Sequence, residues 1–170
     1  MNSKKNLVLL GMMGSGKSSI GFLISKKLNL KFFDIDILIE NEVGMEISNI
    51  FREKGENYFR NIEEKMTLKS LKKIKNVISL GGGAFINAKI RKEILLNHFS
   101  FWLHWDDSIL IRRIKSSKKR PLAFKSTDQE LRTIIKDRSK IYSNAQFKIN
   151  CNKFTKTEIL KKIIKIYEHN

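Results

Sequence analysis

Three groups of residues in this sequence could do chemistry, and each is suited to an anion or to a group carried beside one. The first is Gly11-Met12-Met13-Gly14-Ser15-Gly16-Lys17-Ser18, which fits the pattern G-x-x-x-x-G-K-[ST]. Its glycines let the backbone bend where a side chain would clash and turn N–H groups toward an anion. Lys17 can reach the β- and γ-phosphates of a nucleotide, and the Ser18 hydroxyl can bind Mg²⁺. The second group is Asp34-Ile35-Asp36, whose carboxylates alternation puts on the same side of an extended chain. The third is Gly81-Gly82-Gly83, directly after the apolar run Val77-Ile78-Ser79-Leu80. Three glycines there mean that a ligand or another backbone comes very close.

Regular elements must hold these groups in place. Asn6 to Leu10 reads as a buried parallel strand, and Ile20, Leu23, Ile24 and Leu28 recur at helical spacing after it. The glycine loop therefore sits at a strand-to-helix turn, where the unpaired N–H groups of the helix favour a phosphate. Lys31 to Asp36 reads as a second strand ending in the two carboxylates, at the edge where open α/β sheets bind ligands. Capping of a helix over 37–42 accounts for one of the two, and Asp36 fits that cap.

A helix is expected from Glu46 to Glu53, a break at Gly55 and a second helix from Asn57 to Lys73. On the latter, Arg60 and Glu63 lie three residues apart and can pair, so Arg60 is either half of a surface pair or a binding group. Val77 to Leu80 is the third strand. It lacks the acidic residue often found on a strand beside such a loop, so Asp34 would take the Mg²⁺ role. Ala88–Asn97 is expected to be helical, Phe99–Leu103 a strand, and Asp106–Ser116 a helix from an acidic cap to basic residues. The stretch 116–126 is polar, basic and aperiodic, contains the only proline, Pro121, and reads as a mobile cationic loop. Thr127-Asp128-Gln129-Glu130 and Thr155-Lys156-Thr157-Glu158 are capping boxes that open helices on either side of a short strand at Phe147–Ile149.

Alternating strands and helices imply an α/β fold, a mainly parallel sheet covered on both faces. The length of 170 residues suits one domain, and 41% hydrophobic residues suffice for its core. The single cysteine, Cys151, excludes an internal disulfide framework, and no apolar run is long enough for a membrane span. The start runs straight into the first strand and leaves no room for a signal peptide. Together these point to a soluble, cytoplasmic protein. His98, His104 and His169 show no metal-ligand spacing with one another or with Cys151. The net charge of +17 could serve nucleic acid or anionic small molecules. The basic residues are spread along the chain, which favours simple solvation for most of them.

In their order, Gly11 to Ser18, Asp34-Ile35-Asp36, Phe59-Arg60 with Glu63, Gly81-Gly82-Gly83, Arg120-Pro121-Leu122, and Asp137-Arg138 followed by Tyr142 resemble the shikimate kinase family over nearly the whole chain. The resemblance implies a three-layer α/β/α P-loop kinase fold with a five-stranded parallel sheet. It implies a helical substrate-binding region at about 35–62 and a lid at about 115–127. The implied reaction is phosphorylation of the 3-hydroxyl of shikimate by Mg·ATP, in the route to chorismate and aromatic amino acids.

Carried over by position, Lys17, Asp36 and Arg120 would be catalytic. Gly14, Ser15, Gly16, Lys17, Ser18, Ser19, Arg113 and Arg120 would bind ATP, with Arg113 on the adenine. Asp36, Arg60, Gly82 and Arg138 would bind shikimate, and Ser18 and Asp34 would position Mg²⁺. The implied partners are ATP and shikimate, with no nucleic acid and no membrane, and the expected form is a monomer. Where the family often has a proline before the last helix, Lys156 or a neighbour stands here, and Ala123 follows Arg120-Pro121-Leu122 in place of a leucine. Two other readings compete: a kinase of gluconate or a nucleoside monophosphate on the same fold, and a nucleic-acid-binding ATPase. No recognised nucleic-acid module supports the latter.

Overall fold

The computed structural model describes residues 5–116 and 126–170. Positions 117–125 of the expected lid, Arg120 among them, lie outside the described residues. Five strands form one parallel sheet: β1 (Leu7–Leu10), β2 (Lys31–Asp34), β3 (Asn76–Ser79), β4 (Phe99–His104) and β5 (Phe147–Asn150), in the order β2-β3-β1-β4-β5. The strand β1 lies in the middle, with Leu7 opposite Val77 on one side and Phe99 on the other. All four residues of β1 are buried, so the strand reads as an unbroken apolar run rather than an alternating one. Alternation still sorts them. Leu7 and Leu9 join the apolar cluster on one face of the sheet, and Val8 and Leu10 join the other.

The helices are α1 (Lys17–Leu28), α2 (Ile35–Val43), α3 (Ile47–Leu71), α4 (Ala88–Asn97), α5 (Asp107–Lys115), α6 (Asp128–Tyr142) and α7 (Lys156–Glu168), with a 3-10 turn at Ala84–Ile86. The first face is covered by α1 and α7 through Ile20, Ile24, Ile159 and Ile163. The other is covered by α2 to α6, with Ile39, Phe59, Ile94, Ile114 and Ile135 among its contacts. The neighbouring strands β1 and β3 thus send their following segments to opposite faces. Their carboxyl ends flank a crevice, the place where open α/β sheets take ligands. Both glycine-rich loops open there.

The capping boxes at Thr127/Glu130 and Thr155/Glu158 are present with both reciprocal bonds. Gly55 interrupts α3 with φ 80 and ψ 170, as the expected break requires. The second strand differs from expectation. It ends at Asp34, and the helix starts at Ile35, so Asp34 and Asp36 do not lie side by side on an extended chain. The cap is Asp34, not Asp36: its Oδ1 accepts the N–H groups of Asp36 and Ile37 at 3.1 and 3.5 Å. The capping bonds themselves pull the chain into a helix two residues early. Among the described residues no helix is long and apolar enough to cross a membrane.

Candidate functional site

In the loop between β1 and α1, Gly11, Gly14 and Gly16 all have positive φ. Gly16 is the N-cap of α1 and offers no side-chain acceptor, so the first N–H groups of the helix face outward without a cap. Lys17 opens the helix and is 8% exposed. Its Nζ folds back to donate to the Gly11 and Met12 carbonyls at 2.9 and 3.0 Å, which holds the ammonium over the loop. Ser18 and Ser19 are exposed on the first turn, and Ser19 Oγ donates to the Gly16 carbonyl. Asp34 is 7% exposed, and its second oxygen, Oδ2, has no hydrogen-bond partner among the described residues.

Beside the loop lies a cleft of about 600 Å³. Asp36 enters it from α2, Arg60 and Glu63 from α3, Gly82 from the loop after β3, Arg138 from α6 and Met13 from the phosphate loop. The glycine triplet is what lets these elements meet. A Cβ on Gly81 would stand 2.5 Å from Glu63 Oε1 and 2.7 Å from Asp36 Oδ1. A Cβ on Gly82 would stand 3.3 Å from the Met13 nitrogen, and one on Gly83 would run into the Arg60 guanidinium. The close approach expected of this triplet is thus to side chains and to the neighbouring loop at once.

Arg60 is engaged on two edges. Its Nη1 donates to Glu63 Oε2 at 2.7 Å, and Nε and Nη2 both donate to Glu56 Oε1, at 3.2 and 3.1 Å. The two carboxylates are unlike. Glu63's side chain is 3% exposed, and Glu56's is 64% exposed. The Arg60–Glu63 pair is therefore no surface pair. Burial pushes the Glu63 carboxyl above its ordinary range, with Arg60 opposing, and its Oε1 has no hydrogen-bond partner among the described residues. Arg138 donates through Nη1 to the Gly82 carbonyl at 3.4 Å, with Met12 Sδ at 3.7 Å, and so ties the glycine triplet to the phosphate loop. The Tyr142 hydroxyl, one helical turn on, donates to the same Gly82 carbonyl, and burial lifts its phenol to about 12.

The Asp36 carboxyl is raised from 3.8 to about 6. Burial is the main cause and the neighbouring Asp34 charge the next, with Lys17 pulling the other way. Lys17 thus acts electrostatically on the cleft as well as on the loop.

The residues expected to bind one ligand, Asp36, Arg60, Gly82 and Arg138, do converge on one cleft. Gly14 to Ser19 form one loop-helix junction. Arg113 stands on the far side of that junction, but its guanidinium lies 3.8 Å over the ring of Trp105 and donates weakly to the Gly14 carbonyl. Arg120 lies outside the described residues. Sequence reasoning missed Glu56 and Trp105. The first sits one turn before Arg60, a spacing that could have flagged it. The second directly follows β4 at the ligand edge of the sheet, and its Nε1 donates to the Ser15 carbonyl at 2.9 Å.

A glycine loop with an uncapped helix N-terminus, a neighbouring cleft with two arginines and a carboxylate of raised pKa, and a parallel five-stranded sheet suit phosphoryl transfer to a small anionic acceptor. Comparison with known proteins agrees. The family model for shikimate kinase matches residues 13–168. A shikimate kinase of Thermodesulfovibrio yellowstonii is 38% identical over 165 residues, which is 96% of this chain and 95% of that protein. A solved shikimate kinase from Acinetobacter baumannii, in complex with shikimate, superposes with a TM-score of 0.91 at 28% identity, covering 98% of this chain and 94% of that one. That from Aquifex aeolicus gives a TM-score of 0.86 at 33% identity, covering 97% of each chain. On sequence and fold, the chain belongs to the shikimate kinase family.

Proposed function

We propose that the chain transfers the terminal phosphoryl group of ATP to the 3-hydroxyl of shikimate, and that the cleft beside the phosphate loop holds the acceptor. The observation that carries this reading is the convergence of Arg60, Arg138 and Asp36 around one cavity that also touches the phosphate loop. Two guanidinium groups suit a carboxylate, and planar guanidinium forks match it in a way an ammonium cannot. A carboxylate across the cavity suits the hydroxyl end of the same ring.

In this reading Glu63 keeps Arg60 in place from below, and the substrate carboxylate displaces the exposed Glu56 from the Nε/Nη2 edge. Glu56 holds that edge through a single oxygen, so an incoming bidentate carboxylate makes the better contact. Asp36, with a pKa near 6, is largely ionised at neutral pH. It accepts the hydrogen bond of the attacking hydroxyl and takes its proton as transfer proceeds. Gly82 would hold a ring hydroxyl through its backbone. Lys17 and the uncapped N–H groups of the loop neutralise the phosphates, and positioning with charge neutralisation is most of what this chemistry requires.

Magnesium suits the residues present: the exposed Ser18 hydroxyl and the buried, unpartnered Asp34 Oδ2 are hard oxygen donors. They would hold an ion that neutralises phosphate charge when bound with ATP. Arg120 would close onto the phosphates with a lid over about 115–127, a role that rests on the sequence. The proposed form is a single-domain cytoplasmic monomer with ATP and shikimate as its partners, engaging neither nucleic acid nor membrane. A coupled assay of ADP release tests the acceptor directly. Shikimate should support turnover while gluconate and nucleoside monophosphates do not, and the reverse would place another acceptor in the cleft.

A further inference from the structure

Trp105 is tied to the nucleotide loop in two ways, and the partner its indole N–H finds is a carbonyl of that loop. Its indole N–H donates to the Ser15 carbonyl at 2.9 Å, across a sequence separation of 90 residues. Its ring carries the Arg113 guanidinium 3.8 Å from the centroid, and Arg113 Nη1 in turn reaches the Gly14 carbonyl at 3.5 Å. Two consecutive loop carbonyls are therefore held from the same side by one stacked pair.

The geometry of the peptide bond gives this a consequence. In a trans peptide the C=O and the following N–H point in opposite directions. Pinning the Ser15 carbonyl outward on the indole therefore aims the Gly16 N–H the other way. The Ser15–Gly16 unit is the joint between loop and helix, because Gly16 is the N-cap of α1 and its carbonyl takes the Ile20 N–H at 2.9 Å. Gly16 has φ 90 and no Cβ, so nothing intrinsic holds that peptide in one orientation.

The anchor is itself fixed. Asp106, the next residue, donates its N–H to Asn152 Oδ1 at 2.8 Å and accepts from Asn152 Nδ2 at 2.7 Å, which fastens the end of β4 to the segment before α7. The Trp105 ring packs against the apolar clusters of both sheet faces. A rigid indole thus faces a soft glycine hinge.

We propose that Trp105 is a positioning residue for nucleotide binding. It sets the Ser15–Gly16 peptide so that the Gly16 N–H faces the phosphates, and it holds the plane of Arg113 beside the loop. This rests on the phosphate-loop part of the proposed function and is independent of which acceptor is used. Trp105→Phe keeps an aromatic ring under Arg113 but loses the N–H. Trp105→Leu loses both.

Calorimetric titration with Mg·ADP, together with initial rates against ATP and shikimate, tests the idea. Trp105→Phe should weaken ADP binding and raise the ATP KM by about 3- to 10-fold, the scale of one hydrogen bond, with the shikimate KM within about twofold of the parent. Trp105→Leu should lose about twofold or more beyond that, as the stack is lost too. Phe-variant ADP affinity and ATP KM equal to the parent's would overturn the hydrogen-bond half. A Leu variant no worse than Phe would overturn the stacking half. Equal losses for ATP and shikimate would mark Trp105 as packing only. A parent that binds ADP but phosphorylates another acceptor would remove shikimate and leave this proposal standing. A parent that fails to bind ADP would remove both.

Discussion

Between Gly11 and Ser18, the groups offered to an anion are main-chain N–H donors and one ammonium, supplied by consecutive residues. In the cleft next to them, the groups proposed to meet an anion are two guanidinium side chains from α3 and α6, pressed against glycines of a third segment. The loop leaves the N–H groups of its helix terminus uncapped, and holds its one ammonium on its own carbonyls. The cleft has its cations already engaged, Arg60 by two glutamates and Arg138 by a carbonyl. A site made of backbone can lose a side chain without unfolding. A site made of paired side chains couples ligand binding to the stability of the pairs themselves.

Lys17→Ala is the most severe test of that contrast. It should lower kcat by about 10²- to 10³-fold, the range that one charge-stabilising donor contributes to a transition state. The melting temperature should stay within about 4 °C of the parent, because the loop is carried by its backbone. Turnover near that of the parent would break the assignment of the loop.

Arg60→Ala and Arg138→Ala should each weaken shikimate binding by about 2 kcal/mol or more, and ATP binding far less, with the double variant losing less than the sum. The two should differ in stability. Removing Arg60 strands the Glu63 carboxylate, whose side chain is 3% exposed, so Arg60→Ala should also lower the melting temperature. Calorimetry and thermal melts on the same samples would show it. An Arg60→Ala variant as stable as the parent would mean that the cleft, like the loop, tolerates loss of a side chain.

Asp36 gives the comparison a pH axis. Its carboxyl is raised in the folded state, from 3.8 to about 6, so the folded protein binds this proton more tightly than the unfolded chain. The ionised form is therefore a cost to stability above pH 6, on the order of 2–3 kcal/mol, which is relieved as pH falls through 6 toward 4. Asp36→Asn should raise the melting temperature at pH 7.5 and flatten its pH dependence across that window. In the parent, kcat/KM should fall as pH drops below about 6, where the carboxylate takes up its proton. A rate that stays level down to pH 5 would deny Asp36 its part in the reaction.

The smallest effect belongs to Glu56→Gln. An exposed ion pair contributes up to about 1 kcal/mol, so removing the competing charge should tighten shikimate binding by about two- to fivefold. Weaker binding instead would make Glu56 a support for Arg60 rather than an occupant of its free edge.

The parts of this protein determined by sequence alone are those where neighbours along the chain act on one another. The phosphate loop was legible because glycines, a lysine and a hydroxyl must come at fixed spacing between a strand and a helix. The two capping boxes and the break at Gly55 were legible for the same reason: a cap and its N3 partner, or a glycine with positive φ, are local events. Family resemblance added Asp36, Arg60, Gly82 and Arg138 as a set, though not the packing that joins them.

Tertiary structure decided the rest. Local pattern pointed to Asp36 as the helix cap; Asp34 takes that place because β2 pairs with β3 only as far as Ser79, and the chain turns there. Arg60 and Glu63 at helical spacing read as a surface pair when taken alone; in the fold the glycine triplet packs against both, and Glu63 is buried. Trp105 and Ser15 meet because β1 and β4 are adjacent strands, and no spacing in a sequence encodes which strands lie side by side. Strand order is set by the burial of both faces of the sheet at once, a property of the whole chain rather than of any stretch of it.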